Sequence, residues 1–149
     1  FPAGQITIAL LKSWHRRWLG NIYEWAGQER TVNISKGGFM FAPSAHTVAK
    51  TKHEFDAKYL ARYTPCTNMS EEQIIEAIAV THVELILIHP FREGNGRLSR
   101  LLADVMAVQG DTGRWIIKAG SKTKPNIFRL STQVCQWTTA RCVIGSVLR

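Results

Sequence analysis

Apolar positions along this chain fall into blocks of helical spacing separated by glycines, prolines and short polar runs. The first block, Ile6, Ile8, Leu10, Leu11, Trp14, Trp18 and Leu19, predicts an amphipathic helix ending at Gly20, with Lys12, His15, Arg16 and Arg17 on its polar side. Asn21 to Arg30, with Ile22, Tyr23, Trp25 and Ala26, reads as an aromatic, core-facing turn or short helix. Thr31 to Ile34 alternate as a strand would, and Lys36-Gly37-Gly38-Phe39-Met40-Phe41-Ala42-Pro43 predicts a turn and a short extended piece. Ser44 is placed to cap a helix running to about Tyr63, with Val48, Phe55, Tyr59 and Leu60 inside and Lys50, Lys52, Glu54, Asp56 and Lys58 outside. Thr64 to Met69 is a linker, after which Ser70 and Gln73 form a capping box. From Ile74 to Ile88 polar interruptions nearly vanish, as in a helix buried on most sides. Leu98, Leu101, Leu102, Val105 and Met106 predict the next helix, stopped by Gly110. A mixed loop with Trp115, Ile116 and Ile117 follows, then a last helix from about Pro125 carrying Ile127, Leu130, Val134 and Trp137.

Composition narrows the class. The 149 residues suit a single domain with a real core, and the hydrophobic fraction of 45% is that of a globular protein. No apolar run reaches the roughly 20 residues of a membrane span, and no signal peptide is visible. The chain starts at Phe1 and not at Met, which leaves room for upstream sequence. Cys66, Cys135 and Cys142 are odd in number and lack metal-ligand spacing, so they read as reduced thiols in a cytosolic protein. The net charge of +8 is lopsided: from Thr112 onward there are seven basic and no acidic residues, which leaves about +1 for everything earlier. Those residues are dispersed and lack a nucleic-acid-binding signature, so a solvated basic face is the reading they support.

The chemistry is concentrated in His89-Pro-Phe-Arg-Glu-Gly-Asn-Gly-Arg-Leu-Ser-Arg100. Pro90 disfavours helical geometry at His89, so the imidazole sits where the buried helix gives out. The negative end of that helix dipole is expected to favour its protonated form. The following helix should begin near Gly94, Asn95 and Gly96, and its unpaired N–H groups form an anion site that glycines let a phosphate approach closely. Arg97 and Arg100 share a face of that helix and add forked donors for a polyphosphate. Glu93 would repel the same phosphates unless a cation, most economically magnesium, stood between them. A plain helix-turn-helix corner, with Glu93 as a cap and the arginines in solvent, leaves the coincidence of base, acid and anion site unexplained. Base, metal carboxylate and anion site together suggest phosphoryl or nucleotidyl transfer. The P-loop, the protein-kinase set and a dinucleotide fingerprint are all absent.

This segment resembles, at every defining position, the motif His-x-Phe-x-(Asp/Glu)-Gly-Asn-Gly-Arg-x-x-Arg of the Fic (filamentation induced by cAMP) family. Trp18-Leu-Gly-Asn-Ile-Tyr-Glu-Trp-Ala-Gly, continuing through Arg30-Thr-Val-Asn-Ile-Ser-Lys-Gly-Gly, is similar to the usual Fic lead-in and extends the likeness to about two-thirds of the chain. The resemblance implies a mainly α, Fic-type helical bundle with a short β-hairpin flap (about 36–43) and an active-site loop (89–97), all in one domain over 1–149. It implies transfer of AMP from ATP to a Ser, Thr or Tyr hydroxyl of a target protein, with release of pyrophosphate. His89 would deprotonate the hydroxyl and Glu93 would hold Mg2+ bridging the α- and β-phosphates. Gly94, Asn95 and Gly96 would cradle the phosphates, Arg97 would bind toward the β-phosphate and Arg100 toward the γ-phosphate. Lys36 and Gly37 would lie near the nucleotide, Phe39, Met40 and Phe41 would clamp the target, and Phe91 would anchor the loop. Phe128 is assigned to core packing, with an approach to the nucleotide base as the alternative. His82 is treated as a core-edge histidine. Doc-type relatives carry lysine in place of the glycine at Gly96 and phosphorylate, so Gly96 argues for adenylylation.

One departure from the family pattern has regulatory meaning. Many members carry an inhibitory (Ser/Thr)-x-x-x-Glu-(Gly/Asn) helix whose Glu pairs with the second motif arginine. The chain contains no such pattern. The inhibitory element is then on a separate antitoxin, on an upstream segment, or absent, and a toxin-like or effector enzyme restrained in trans is the expectation, in the bacterial cytosol or in a host cytosol after delivery. The rival readings are transfer of another nucleotide or phosphoryl group, removal of AMP, and a non-catalytic module binding protein or nucleic acid. The intact histidine, carboxylate and arginines argue against the module, for which steeply salt-dependent nucleic-acid binding would be the sign.

Overall fold

Thr7 starts the first helix, α1 (Ile8–Leu19), by accepting the Leu10 N–H on its hydroxyl at 3.3 Å, while Asp56 Oδ1 accepts the Ile8 N–H at 2.9 Å. Two of the donors that a helix start leaves unpaired are thus satisfied, one of them by a residue expected on an outer face. The buried stripe of α1 is Ile8, Leu11, His15 and Leu19. His15 therefore lies on the inner face and not on the polar side where its chemistry suggested it, and Trp18 is 42% exposed. The computed structural model describes residues 2–111. The helix expected from Pro125, with Ile127, Leu130, Val134 and Trp137, lies outside them, as do Trp115, Ile116, Ile117 and Phe128.

After α1 the chain runs through turns in which Ala26 and Arg30 are buried while Ile22 and Tyr23 face solvent. The core-facing segment expected here is thus inverted at its aromatic end, where Tyr23 stacks on Trp25 at 4.5 Å. Strands β1 (Ser35–Lys36) and β2 (Phe39–Met40) pair antiparallel in the register Ser35↔Met40 and Lys36↔Phe39. Gly37 and Gly38, at φ 58° and 81°, make the two-residue turn that demands positive φ at both positions. Such a turn pairs the residues immediately flanking it, which is why the ladder starts at Ser35 and Thr31 to Ile34 form no strand.

The helix expected from Ser44 to Tyr63 is continuous but not uniform. It comprises α2 (Ser44–Ala49), a π-helical stretch (Lys50–Leu60) and a last turn, α3 (Ala61–Tyr63). Pro43 and not Ser44 is its cap residue, and Asn33 Oδ1 accepts the Ser44 N–H at 2.8 Å. Its buried positions Thr47, Thr51, Phe55 and Leu60 recur at spacings of four and five, wider than an α-helical turn, so Val48 is turned out and is 56% exposed.

Helix α4 (Glu71–Ile88) opens with both halves of its capping box made: Gln73 N–H to Ser70 Oγ at 3.3 Å and Ser70 N–H to Gln73 Oε1 at 2.8 Å. Helix α5 (Asn95–Gln109) is capped by Gly94 and stopped by Gly110. The two pack along each other through Ile78, Leu85, Leu98, Leu102, Val105 and Met106, against which lie Ile6 from the segment before α1, Leu11 of α1, and Phe55 and Leu60 of the π-helical stretch. The connection between α4 and α5 is thereby fixed at one end of the core, and the hairpin reaches it because the Ala42 N–H donates to Leu87 O at 3.2 Å. No helix among the described residues is long and apolar enough to cross a membrane.

Candidate functional site

Pro90 ends α4, and His89 takes the left-handed conformation at φ 51°, ψ 59° as its C-cap. That geometry costs a residue with a side chain roughly 1–2 kcal/mol. Several bonds hold it. The His89 N–H donates to Leu85 O at 3.0 Å, its carbonyl accepts from Arg30 Nε at 2.6 Å, and its ring Nδ1–H donates to Ile86 O at 3.2 Å. Because a carbonyl only accepts, Nδ1 carries the proton and Nε2 keeps its lone pair. Phe41 stacks on the imidazole with ring centres 3.7 Å apart and planes inclined by 20°.

The helix-dipole expectation for His89 is reversed. Burial holds its pKa below the usual histidine value, and the charges of Arg30 and Lys36 push the same way. The bond to Ile86 O and the charge of Glu93 offset this only in part. A half-buried imidazole between two cations loses more by charging than a helix end returns.

Beyond Pro90 the loop is tied down from inside. Phe91 is fully buried, and the Asn95 side chain brackets it, accepting the Phe91 N–H at 2.9 Å and donating to Phe91 O at 2.7 Å. The Asn95 amide is thus spent within the loop, so only its backbone is left to face an anion. Gly94 has φ +83°, and a Cβ there would meet Trp18 at 3.1 Å and Leu19 at 3.2 Å. Gly96 differs: a Cβ would meet nothing within 4 Å.

His15 is the hidden prop of this loop. Its Nδ1 accepts the Gly27 N–H at 2.9 Å, so Nε2 carries the proton and donates to Glu93 O at 3.0 Å. The ring stacks on Phe91 at 4.0 Å, and burial lowers its pKa, which keeps the neutral tautomer that both bonds require. Its place one turn from Leu11 and Leu19 was the sequence signal for it. Arg30 is the other residue that the sequence did not single out; it is 2% exposed, and nothing in its spacing marks it.

These elements surround an open groove of about 470 Å³ lined by Lys36, Phe41, His89, Glu93, Gly94, Asn95, Gly96, Arg97 and Arg100, together with Arg92 and residues of the hairpin approach. The remaining flap residues, Gly37, Phe39 and Met40, are exposed and do not line it. Phe39 touches Phe41 edge-on at 5.3 Å. Glu93 Oε1 accepts from the Gly94 N–H at 2.9 Å and from Arg97 Nη2 at 3.2 Å. The backbone bond, first, and then Arg97 and Lys36 hold its carboxyl below the usual range. Arg97 also lies over the Trp18 ring at 4.4 Å. His82 is half-buried outside this lining, and burial lowers its pKa as well.

A groove with one carboxylate, several cations and a neutral imidazole is chemically suited to a polyphosphate. Among the described residues Glu93 is its only acidic group, and no cluster of three metal-binding side chains occurs. A hard divalent cation held by a single carboxylate and by phosphate oxygens fits that donor set, whereas an all-protein metal cage does not.

Known proteins show the family of the chain. The chain is 33% identical over 96 residues to a probable protein adenylyltransferase, y4lH, of Sinorhizobium fredii, covering 64% of this chain and 50% of that protein. It is 32% identical over 98 residues to the protein adenylyltransferase VbhT of Bartonella schoenbuchensis, covering 66% of this chain and 20% of that one. It therefore spans half or less of the length of these relatives. Among solved structures, the N-terminal Fic domain of a Bartonella effector protein from Bartonella sp. AR 15-3 superposes with a TM-score of 0.67 at 23% identity, covering 88% of this chain and 69% of that one. The sequence pattern of the Fic/DOC family runs from residue 5 to residue 107, through α1, the hairpin and both helices that frame the groove, and this chain belongs to that family.

Proposed function

We propose that the chain transfers AMP from ATP to a Ser, Thr or Tyr hydroxyl of a target protein. The observation that carries this reading is the neutral imidazole of His89, Nδ1–H fixed on Ile86 O, set in one groove with Gly94, Gly96, Arg97 and Arg100. His89 Nε2 takes the hydroxyl proton as the target oxygen attacks the α-phosphorus, and the bond to pyrophosphate breaks. The first N–H groups of α5, with Arg97 and Arg100, bind the β- and γ-phosphates and stabilise charge passing to the leaving group. Glu93 would hold Mg2+ through its carboxylate, and the ion would offset charge on the α- and β-phosphates. The relatives named as protein adenylyltransferases support AMP over other groups.

Restraint in trans, by an antitoxin-like partner in a cytosol that supplies ATP and Mg2+, is part of the same reading. Arg100 lines the groove and no carboxylate among the described residues pairs with it, which leaves it open to an acidic residue of a partner. The test is incubation in lysate with Mg2+ and ATP labelled at either the α- or the γ-phosphate, beside His89→Ala. Label from the α-phosphate alone on a protein band, reduced about 100-fold or more in the variant, is the expected result. Label from the γ-phosphate would turn the reading to a kinase.

A further inference from the structure

Arg30 is the largest fully buried side chain among the described residues, and no carboxylate neutralises it there. All of its bonds go to carbonyls. Nε donates to His89 O at 2.6 Å, Nη1 to Val32 O at 2.7 Å, and Nη2 to Ile88 O at 3.3 Å and also to Ala42 O. Its backbone N–H donates to Pro90 O at 2.8 Å. Ile88 and His89 sit at the negative end of α4, where carbonyls lack helical partners and a cation is favoured. Val32 and Ala42 flank the hairpin on its entry and exit sides. One planar fork thus joins both ends of the hairpin to the backbone of His89, and Phe41, next to Ala42, stacks on the His89 ring.

From this we infer that Arg30 is a positioning residue for the transfer reaction, holding the hairpin that presents the target and the backbone of His89 in one register so that hydroxyl and base meet. The inference rests on the reading of His89 as base and of the hairpin as target clamp. A buried guanidinium serving only to fill space would not span two elements whose sequence positions lie far apart. Lysine, a point charge with three donors on a flexible stem, cannot make the same planar bridge.

The charge of Arg30 adds a second effect that can be read separately. The groups facing His89 are Arg30 from the segment before the hairpin, Lys36 from the hairpin, Glu93 from the loop and the Ile86 carbonyl from α4. Arg30 and Lys36 oppose protonation of the imidazole, and the other two favour it.

Arg30→Met and Arg30→Lys, compared with the intact chain, separate geometry from charge. The purified protein from the labelled band serves as acceptor, and the His89 ring is titrated by NMR. In Arg30→Met, kcat should fall and the acceptor KM rise by about tenfold or more, with KM for ATP little changed. His89 should also titrate at higher pH. In Arg30→Lys the titration should stay near that of the parent while kcat still falls. A Met variant with the parent's acceptor KM and the parent's His89 titration overturns the proposal. Should Arg30→Met not fold, the Lys variant and the parent decide: the Arg30 Nε–H resonance of the parent must persist at alkaline pH, and its loss to exchange with water overturns the bridge. The two NMR readings need no turnover, so they stand or fall apart from AMP transfer itself.

Discussion

His89 shows how far a single side chain can be read before its surroundings are known. The motif marked it as a candidate base, but the dipole argument assigned the wrong sign to its pKa because burial and the Arg30 charge outweigh the helix end. The corrected sign has a consequence in solution. With its pKa below the usual value of 6.5, the neutral form that accepts a proton is present throughout the neutral range and is lost only as pH falls through the lowered value. The acid limb of kcat/KM should therefore have its midpoint below 6.5, with little change between neutral and mildly alkaline pH. A pH–rate profile with a midpoint above 6.5 would show that the Ile86 carbonyl and Glu93, and not burial, govern the imidazole. Legibility differed among the supporting residues for a physical reason. His15 sits in a helical row with Ile8, Leu11 and Leu19 and was readable from spacing once its polarity was set aside. Arg30 was not readable, because its carbonyl partners come from three separate stretches of chain and local sequence carries no record of them.

At the scale of elements, caps and periodicity carried most of the information. The capping box of α4, the break at Pro90 and the glycines at either end of α5 lie where the sequence put them. The long middle helix was only half legible: α-helical spacing turned Val48 inward, whereas the π-helical winding selects Thr47, Thr51, Phe55 and Leu60. The hairpin turn and the extended piece after it, which holds β2, were legible, but β1 was not, since a two-residue strand carries too little alternation to detect. The two loop glycines make a controlled pair. Gly94→Ala forces a side chain into positive φ, about 1–2 kcal/mol by itself, and against Trp18 at 3.1 Å, so it should lower the denaturant midpoint clearly. Gly96→Ala meets no atom within 4 Å and sits in the first turn of α5, where replacing glycine removes chain entropy from the unfolded state. Its stability should be unchanged or up by as much as about 1 kcal/mol, while the added methyl at the groove weakens nucleotide binding. Equal destabilisation by both would mean that the two glycines serve the turn alone.

Across the whole molecule, charge and architecture separate. The chain up to Asp111 carries about +1 of the net +8, yet the groove gathers Lys36, Arg92, Arg97 and Arg100 around a single carboxylate. Net charge up to Asp111 therefore does not mark the candidate anion site, and the basic segment from Thr112 onward lies outside the described residues. What marked the groove was the meeting of a helix end and a helix start at one end of the core. The groove lining spans the hairpin, the end of α4, the loop and the start of α5, so a ligand filling it ties these elements together and should stabilise the fold as a unit. At a nucleotide concentration about a hundred times Kd, binding to the native state alone contributes about 2.7 kcal/mol. For a domain of this size that corresponds to a rise in Tm of roughly 5–11 °C. The order among ligands is the sharper test. If α5, Arg97 and Arg100 hold the β- and γ-phosphates, then ATP with Mg2+ and pyrophosphate with Mg2+ should both raise Tm well beyond AMP. Arg100→Ala should shrink the ATP shift more than the AMP shift, and added salt should shrink the ATP and pyrophosphate shifts most. Thermal denaturation with the three ligands decides it, because an AMP shift as large as that of ATP would place the recognition on the nucleoside and leave the two arginines without a role in binding.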